Sequence, residues 1–148
     1  MGAMKLKEIL VTPLLKIETA GGNVLHAMKE RDEGYTGFGE AYFSWISHGA
    51  IKAWKRHLLM TMNLVVPVGQ VKFVFRYVNP DTRVEEFCIE ELGVNRYARI
   101  TVPPGIWFGF QGLHASQSLI LNIASIPHDP REVERLELMD VDYEWAHL

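Results

Sequence analysis

One cysteine in 148 residues, Cys88, leaves no intrachain disulfide and no cysteine set for a zinc site, and a reducing cytoplasm is the expected setting. No apolar run approaches the ~20 residues that a membrane helix needs. Positive charge is also scarce: 15 Lys and Arg face 18 Asp and Glu, for a net charge of −3, and no long basic tract stands out. That balance argues against nucleic acid as a partner. The six histidines are dispersed, with no His-x-His pair, so the nitrogen donors that Zn, Fe or Ni prefer are not gathered and no metal or other cofactor is expected. A Gly-rich mononucleotide loop and a nucleophile elbow are both missing. So are internal repeats and low-complexity segments.

What remains is an ordinary globular composition, 48% apolar and 22% charged, enough for one domain spanning 5–148. Met1-Gly2-Ala3-Met4 reads as a cloning scar in front of it. Short extended segments punctuated by Gly and Pro fill most of the chain. An edge strand is expected within 5–20, interrupted by Pro13. Further strands are expected at 23–28, 38–46, 63–66, 71–78, 84–92, 96–102, 107–111 and 118–126. Only Arg131 to Met139 has helical spacing, through Val133, Leu136 and Leu138. The pattern predicts an all-β sandwich or barrel with a short C-terminal helix. The corners at Pro67-Val68-Gly69 and Pro103-Pro104-Gly105 fit a jelly roll able to enclose a small-molecule cavity.

The densest chemistry lies in Gly49-Ala50-Ile51-Lys52-Ala53-Trp54-Lys55-Arg56-His57: three cations, an indole and an imidazole, just ahead of a long β run. A barrel strand that turns such groups inward does so toward an anionic or sugar-like ligand; the other reading is a solvated, cationic edge strand. Lys52 suits a phosphate, which a lysine grips without tuning. Lys55 has three readings: a base, if burial and neighbouring cations lower its pKa by several units; an anion contact; or plain surface charge. His57 shares a strand face with Lys55 if the strand is regular, and its pKa near ~6.5 suits either a base or a structural hydrogen bond. Thr61 and Asn63 alternate with it and offer neutral hydrogen bonds to sugar hydroxyls. Trp54 and Trp107 can stack on a ring or fill core. Gln111 and Asn122 are amides in apolar strands, and each must find partners, in the framework or at a polar cavity.

Gly49 to His57, Leu64 to Gly69, and Pro103-Pro104-Gly105-Ile106-Trp107-Phe108-Gly109-Phe110-Gln111 together resemble the dTDP-4-dehydrorhamnose 3,5-epimerase family, in order and spacing, over roughly residues 22 to 145. The resemblance implies a cupin, a double-stranded β jelly roll, acting in the cytoplasm as a homodimer on a nucleotide-linked 4-keto sugar for surface-polysaccharide synthesis. The departures are as informative. The family reads Gly-x-x-Arg-Gly-x-His, where this chain has Lys52 for the arginine and Lys55 for the histidine base. Phe108 replaces a second histidine, Tyr77 falls near the orienting aspartate, Asn122 near the tyrosine acid, and Met62 near a lysine. The expectation is therefore an epimerase or isomerase with altered proton-transfer groups, Lys55 and His57. Lys52, Trp54, Thr61, Asn63, Trp107, Gln111 and Asn122 are expected to contact substrate. The competing expectation is a non-catalytic module that keeps the sugar-nucleotide pocket.

Overall fold

The computed structural model describes residues 5–148, so the expected scar lies outside the described residues. The strands are β1 (Leu10–Pro13), β2 (Lys16–Ile17), β3 (Val24–Leu25), β4 (Glu40–Ile46), β5 (Ile51–His57) and β6 (Met62–Val68). They continue with β7 (Gln70–Val78), β8 (Glu85–Gly93), β9 (Ala98–Val102), β10 (Trp107–Gly112), β11 (Ser118–Ala124) and β12 (Val133–Arg135). Two five-stranded sheets face each other, one ordered β1-β9-β6-β11-β4 and the other β12-β5-β10-β7-β8, while β2 and β3 pair only with one another among the described residues. All pairings between these strands are antiparallel. The all-β expectation holds, and Pro13 ends an edge strand, where its missing N–H costs no ladder bond.

Alternation along the strands sets the two layers. Leu64, Ile100 and Ile120 from the first sheet meet Phe73, Phe75 and Phe108 from the second in one buried core. Each such side chain contributes roughly 1.5–3 kcal/mol of burial free energy. Gly69 makes the tight turn between β6 and β7 at φ +86°, and a side chain there would run into Ser118. The hydroxyl of Ser118 in turn accepts the amide of Gln70 and donates to its carbonyl, pinning the turn to β11.

One expectation is corrected. Arg131 to Met139 forms no α-helix; two 3-10 turns, Pro130–Glu132 and Leu138–Asp140, flank the strand β12. The reason is tertiary: β5 offers an open edge, and β12 pairs with it from His57 to Lys55. Asp129 caps the first of these turns through the amide of Arg131.

A break in register in β5 decides which of its side chains face inward. Phe108 pairs with Lys55 and Phe110 with Lys52, so two steps along β10 match three along β5. The extra residue is a bulge at Ala53 and Trp54. Gly109 makes room for it, because a Cβ there would overlap the Cβ of Ala53. Gly109→Ala is therefore expected to destabilise the fold by about 1–3 kcal/mol, as overpacking of a filled site does. Urea denaturation checks this, and an unchanged midpoint would show that the bulge does not depend on the missing side chain.

Candidate active site

In a regular strand, residues three apart face opposite ways. The bulge cancels that rule, so Lys52 and Lys55 both point between the sheets, on the same side as Phe110 and Phe108. There they line a cavity of about 360 Å³ at the open edge of the sandwich. Its other walls come from Ser44 of β4, Phe108 and Phe110 of β10, and Arg135 and Glu137 at and after β12. Lys52 donates from Nζ to the carbonyl of Trp45 at 2.8 Å. The ammonium of Lys55 lies 5.4 Å from the centre of the Phe108 ring. Arg135 is paired directly opposite Lys55 across the β12–β5 ladder.

The electrostatics follow from that packing. Desolvation, reinforced by the positive charge of Arg135, lowers the pKa of Lys55 to about 8, with Glu132 pulling the other way. A neutral amine is thus accessible near physiological pH. Arg135 also acts on Tyr42, whose hydroxyl burial and Glu40 raise above its ordinary value.

His57 follows Lys55 on the same face and is nearly sealed from solvent. Its Nδ1–H donates to Oε1 of Glu132 at 2.5 Å, while the amides of Leu59 and Met60 donate to Oε2 at 3.1 Å each. Burial lowers the pKa of His57, and the bond to Glu132 only partly offsets it. For Glu132, burial alone would raise the pKa, and the bonds from His57, Leu59 and Met60 outweigh it, leaving the carboxyl below its ordinary value. The pair is therefore a neutral imidazole on an ionised carboxylate, with the tautomer fixed and the Nε2 lone pair unpartnered among the described residues. His57 does not line the cavity; its ring packs beside that of Phe108, which does.

The other expected contacts lie elsewhere in the fold. Trp107 and Gln111 face the outer surface of the second sheet. There Trp107 joins Val74, Trp54, Val141 and Trp145 in a second apolar cluster under the C-terminal tail, and Gln111 donates to the carbonyls of Gly49 and Ala146. Trp54 borders the cavity, but its indole packs outward against Tyr143 and Trp145. Asn63 lies on the outer face of the first sheet and donates to the carbonyl of Gly34. Thr61 is buried beside Ser125. Asn122 is buried one layer behind the cavity, donating from Nδ2 to the hydroxyl of Ser44 at 2.9 Å. Of the expected set, Lys52 and Lys55 reach the cavity with their charged ends.

The residues missed were Arg135 and Glu132. Their segment reads as a charged helix, and the alternating Val133-Glu134-Arg135 run after Pro130 was the signal for a strand. Among the described residues no group of three or more His, Cys, Asp and Glu side chains is placed to hold a metal ion, and no helix is long and apolar enough to cross a membrane.

Two facing antiparallel sheets with a cationic cavity at their open edge define a cupin jelly roll. No family model matches the chain, and no curated protein does. Solved structures match well. A dTDP sugar isomerase from Desulfovibrio desulfuricans is 31% identical, with a TM-score of 0.86 over 93% of this chain and 90% of that one. The same fold occurs in a sugar 3,4-ketoisomerase from Thermoanaerobacterium thermosaccharolyticum solved with TDP, at 17% identity and TM-score 0.73 over 88% of this chain and 90% of that one. It occurs again in a dTDP-6-deoxy-D-glucose-3,5-epimerase from Legionella pneumophila solved with dTDP-4-keto-L-rhamnose, at 15% identity and TM-score 0.78 over 94% and 80%. The chain belongs to the dTDP-sugar epimerase and isomerase family of cupins.

The buried His57–Glu132 pair predicts acid sensitivity. The unfolded chain protonates its histidine near pH ~6.5 and its glutamate near ~4.3, while the folded chain resists both, so stability falls as pH drops from about 7 toward 4. Glu132→Ala should cost about 3–5 kcal/mol by leaving buried polar partners bare, and should remove the glutamate's share of that acid limb while the histidine's share stays. Urea titrations at several pH values read both effects; a variant as stable as the parent would show that the pair does not hold the fold.

Proposed function

We propose that this protein is an isomerase or epimerase of a nucleotide-linked 4-keto sugar, a dTDP sugar by kinship, acting in the cytoplasm in the making of surface-polysaccharide sugars. The observation that carries the reading is the cavity in which Lys52, Lys55 and Arg135 converge, one of them with its pKa lowered to about 8. Lys52 and Arg135 suit the diphosphate: both are cations at the wall of a partly closed site, and Arg135 adds the fork that a phosphate oxygen pair accepts.

Lys55 is then the proton-transfer group. Its neutral amine takes the proton from the carbon beside the ketone, and the electron pair left behind delocalises onto the carbonyl oxygen as an enolate. The surrounding cations stabilise that charge. Protonation of the opposite face of the carbon by water entering the open cavity, while Lys55 gives its proton up to solvent, yields an epimer. Protonation at the former carbonyl carbon, with the ketone re-forming on the neighbouring carbon from its hydroxyl, gives a keto isomer. His57, deeper and locked by Glu132, shapes the wall behind Phe108. A second reading, binding without turnover, draws on Lys55 and Phe108 standing where the resembling family has histidines.

Incubation with dTDP-4-keto-6-deoxyglucose in D2O, followed by NMR, tests the proposal. Deuterium is expected to enter carbon next to the ketone, faster as pH rises through about 8 as Lys55 loses its proton. Lys55→Ala should slow exchange by ~10²-fold or more. Lys52→Ala and Arg135→Ala should each weaken dTDP binding by about tenfold, roughly 1.4 kcal/mol. Thermal stabilisation by dTDP without exchange would select the binding module. Exchange that survives Lys55→Ala but not His57→Gln would overturn the assignment of the base.

A further inference from the structure

Ser44 and Asn122 form a polar pair in an otherwise apolar wall of the first sheet. Ser44 alternates along β4 with Phe43 and Trp45, which stand exposed outside, so its side chain points between the sheets and lines the cavity. Asn122, on the neighbouring strand β11, is 5% exposed and shares its inward face with the buried Ile120 and Ala124. An amide buried among such neighbours is kept there by its hydrogen bonds.

Those bonds allow the amide one orientation. Its nitrogen stands 3.3 Å from the carbonyl of Tyr42 and 3.4 Å from that of Ile120, and an oxygen in its place would face two acceptors. The NH2 group therefore lies on the Ser44 side, where Nδ2 donates to the hydroxyl oxygen at 2.9 Å. Among the described residues that is the one hydrogen bond of the Ser44 side chain, and the serine accepts in it. A serine hydroxyl has a single hydrogen to give. With an N–H on its oxygen from behind, that hydrogen is left for the cavity.

The charged groups on the cavity wall are three cations and one carboxylate, Lys52, Lys55, Arg135 and Glu137. Lys52 and Arg135 are assigned to the diphosphate, and Lys52 also holds the carbonyl of Trp45. Lys55 works from β5 in the second sheet, and Ser44 faces the same space from β4 in the first. The carbon that loses its proton and the carbonyl oxygen lie two bonds apart, so one flat enolate can meet both walls.

We propose that Ser44 is a further catalytic residue, donating its hydroxyl hydrogen bond to the sugar's carbonyl oxygen as that oxygen gains enolate charge, and that Asn122 is the positioning residue that turns it there. This rests on the assignment of a 4-keto sugar to the cavity. The serine keeps its hydrogen throughout: the C–H electron pair moves onto the carbonyl oxygen, and Lys55 holds the proton removed. A donor aimed at an oxygen that becomes charged only during reaction raises the rate more than it tightens binding.

Deuterium exchange into dTDP-4-keto-6-deoxyglucose, with kcat and KM resolved and dTDP affinity measured by calorimetry, tests this. Ser44→Ala leaves Asn122 its two carbonyl partners, so the fold is kept. It should slow kcat for exchange by ~10²-fold while KM and the Kd for dTDP hold. Ser44→Thr, which retains the hydroxyl, should recover most of that loss. Asn122→Leu, similar in size, should slow exchange by about tenfold in the parent and no further in the Ser44→Ala background, whereas a merely structural role would lower the rate in both. A urea midpoint for each variant separates loss of fold from loss of rate. Ser44→Ala that exchanges like the parent, or that loses dTDP affinity in place of rate, would overturn the proposal and leave the keto-sugar assignment standing. A parent protein without exchange would overturn both.

Discussion

Everything at the site depends on one extra residue in β5. The bulge at Ala53 and Trp54 turns an odd spacing into a shared face, and without it Lys52 and Lys55 would stand on opposite sides of the sheet. The indole of Trp54 goes outward as part of the same event, into the cluster with Trp107 and Trp145. Gly109 on the neighbouring strand permits the bulge by presenting no side chain to Ala53. A local packing accommodation between two strands thus decides which side chains face the ligand.

The C-terminal tail completes what the bulge begins. It closes the edge of the second sheet as β12, sends Glu132 to His57 and Arg135 to the cavity, then crosses the outer face, where Tyr143 and Trp145 pack on Trp54. Lys72 lies over both tail rings, 5.2 and 5.8 Å from their centres, and adds a cation–π hold. The cost of this arrangement is repulsion: Arg135 and Lys55 face one another in a partly dehydrated space, and the lowered pKa of Lys55 expresses both the dehydration and the repulsion. An anion placed between the two cations would relieve that repulsion.

The strands were legible because their signals are local. Alternation in Val71 to Val78, the Gly69 turn and the Pro103-Pro104-Gly105 corner need nothing from elsewhere in the chain. Lys52 and Lys55 were legible as a charge cluster, although the reason they converge was not, since a bulge is written jointly by Ala53 and Gly109 on two strands. The faces taken by Trp107, Gln111 and Asn63 were not legible for a related reason. An aromatic or amide in a strand announces that it needs partners but not which face holds them, and the outer faces here are covered by the tail and by 27–35. Arg135 and Glu132 were lost to helical spacing in a segment that the open edge of β5 recruits as a strand.

The central claim is that Lys55 sits in a partly dehydrated, electropositive cavity and not in bulk solvent. Site-resolved NMR titration of its side-chain amine measures this directly, using the Lys55→Ala spectrum to assign the signal. The midpoint should fall at about 8 and move upward when Arg135 is replaced by glutamine. A midpoint near the ordinary lysine value of ~10.4, unmoved by that replacement, would contradict the claim.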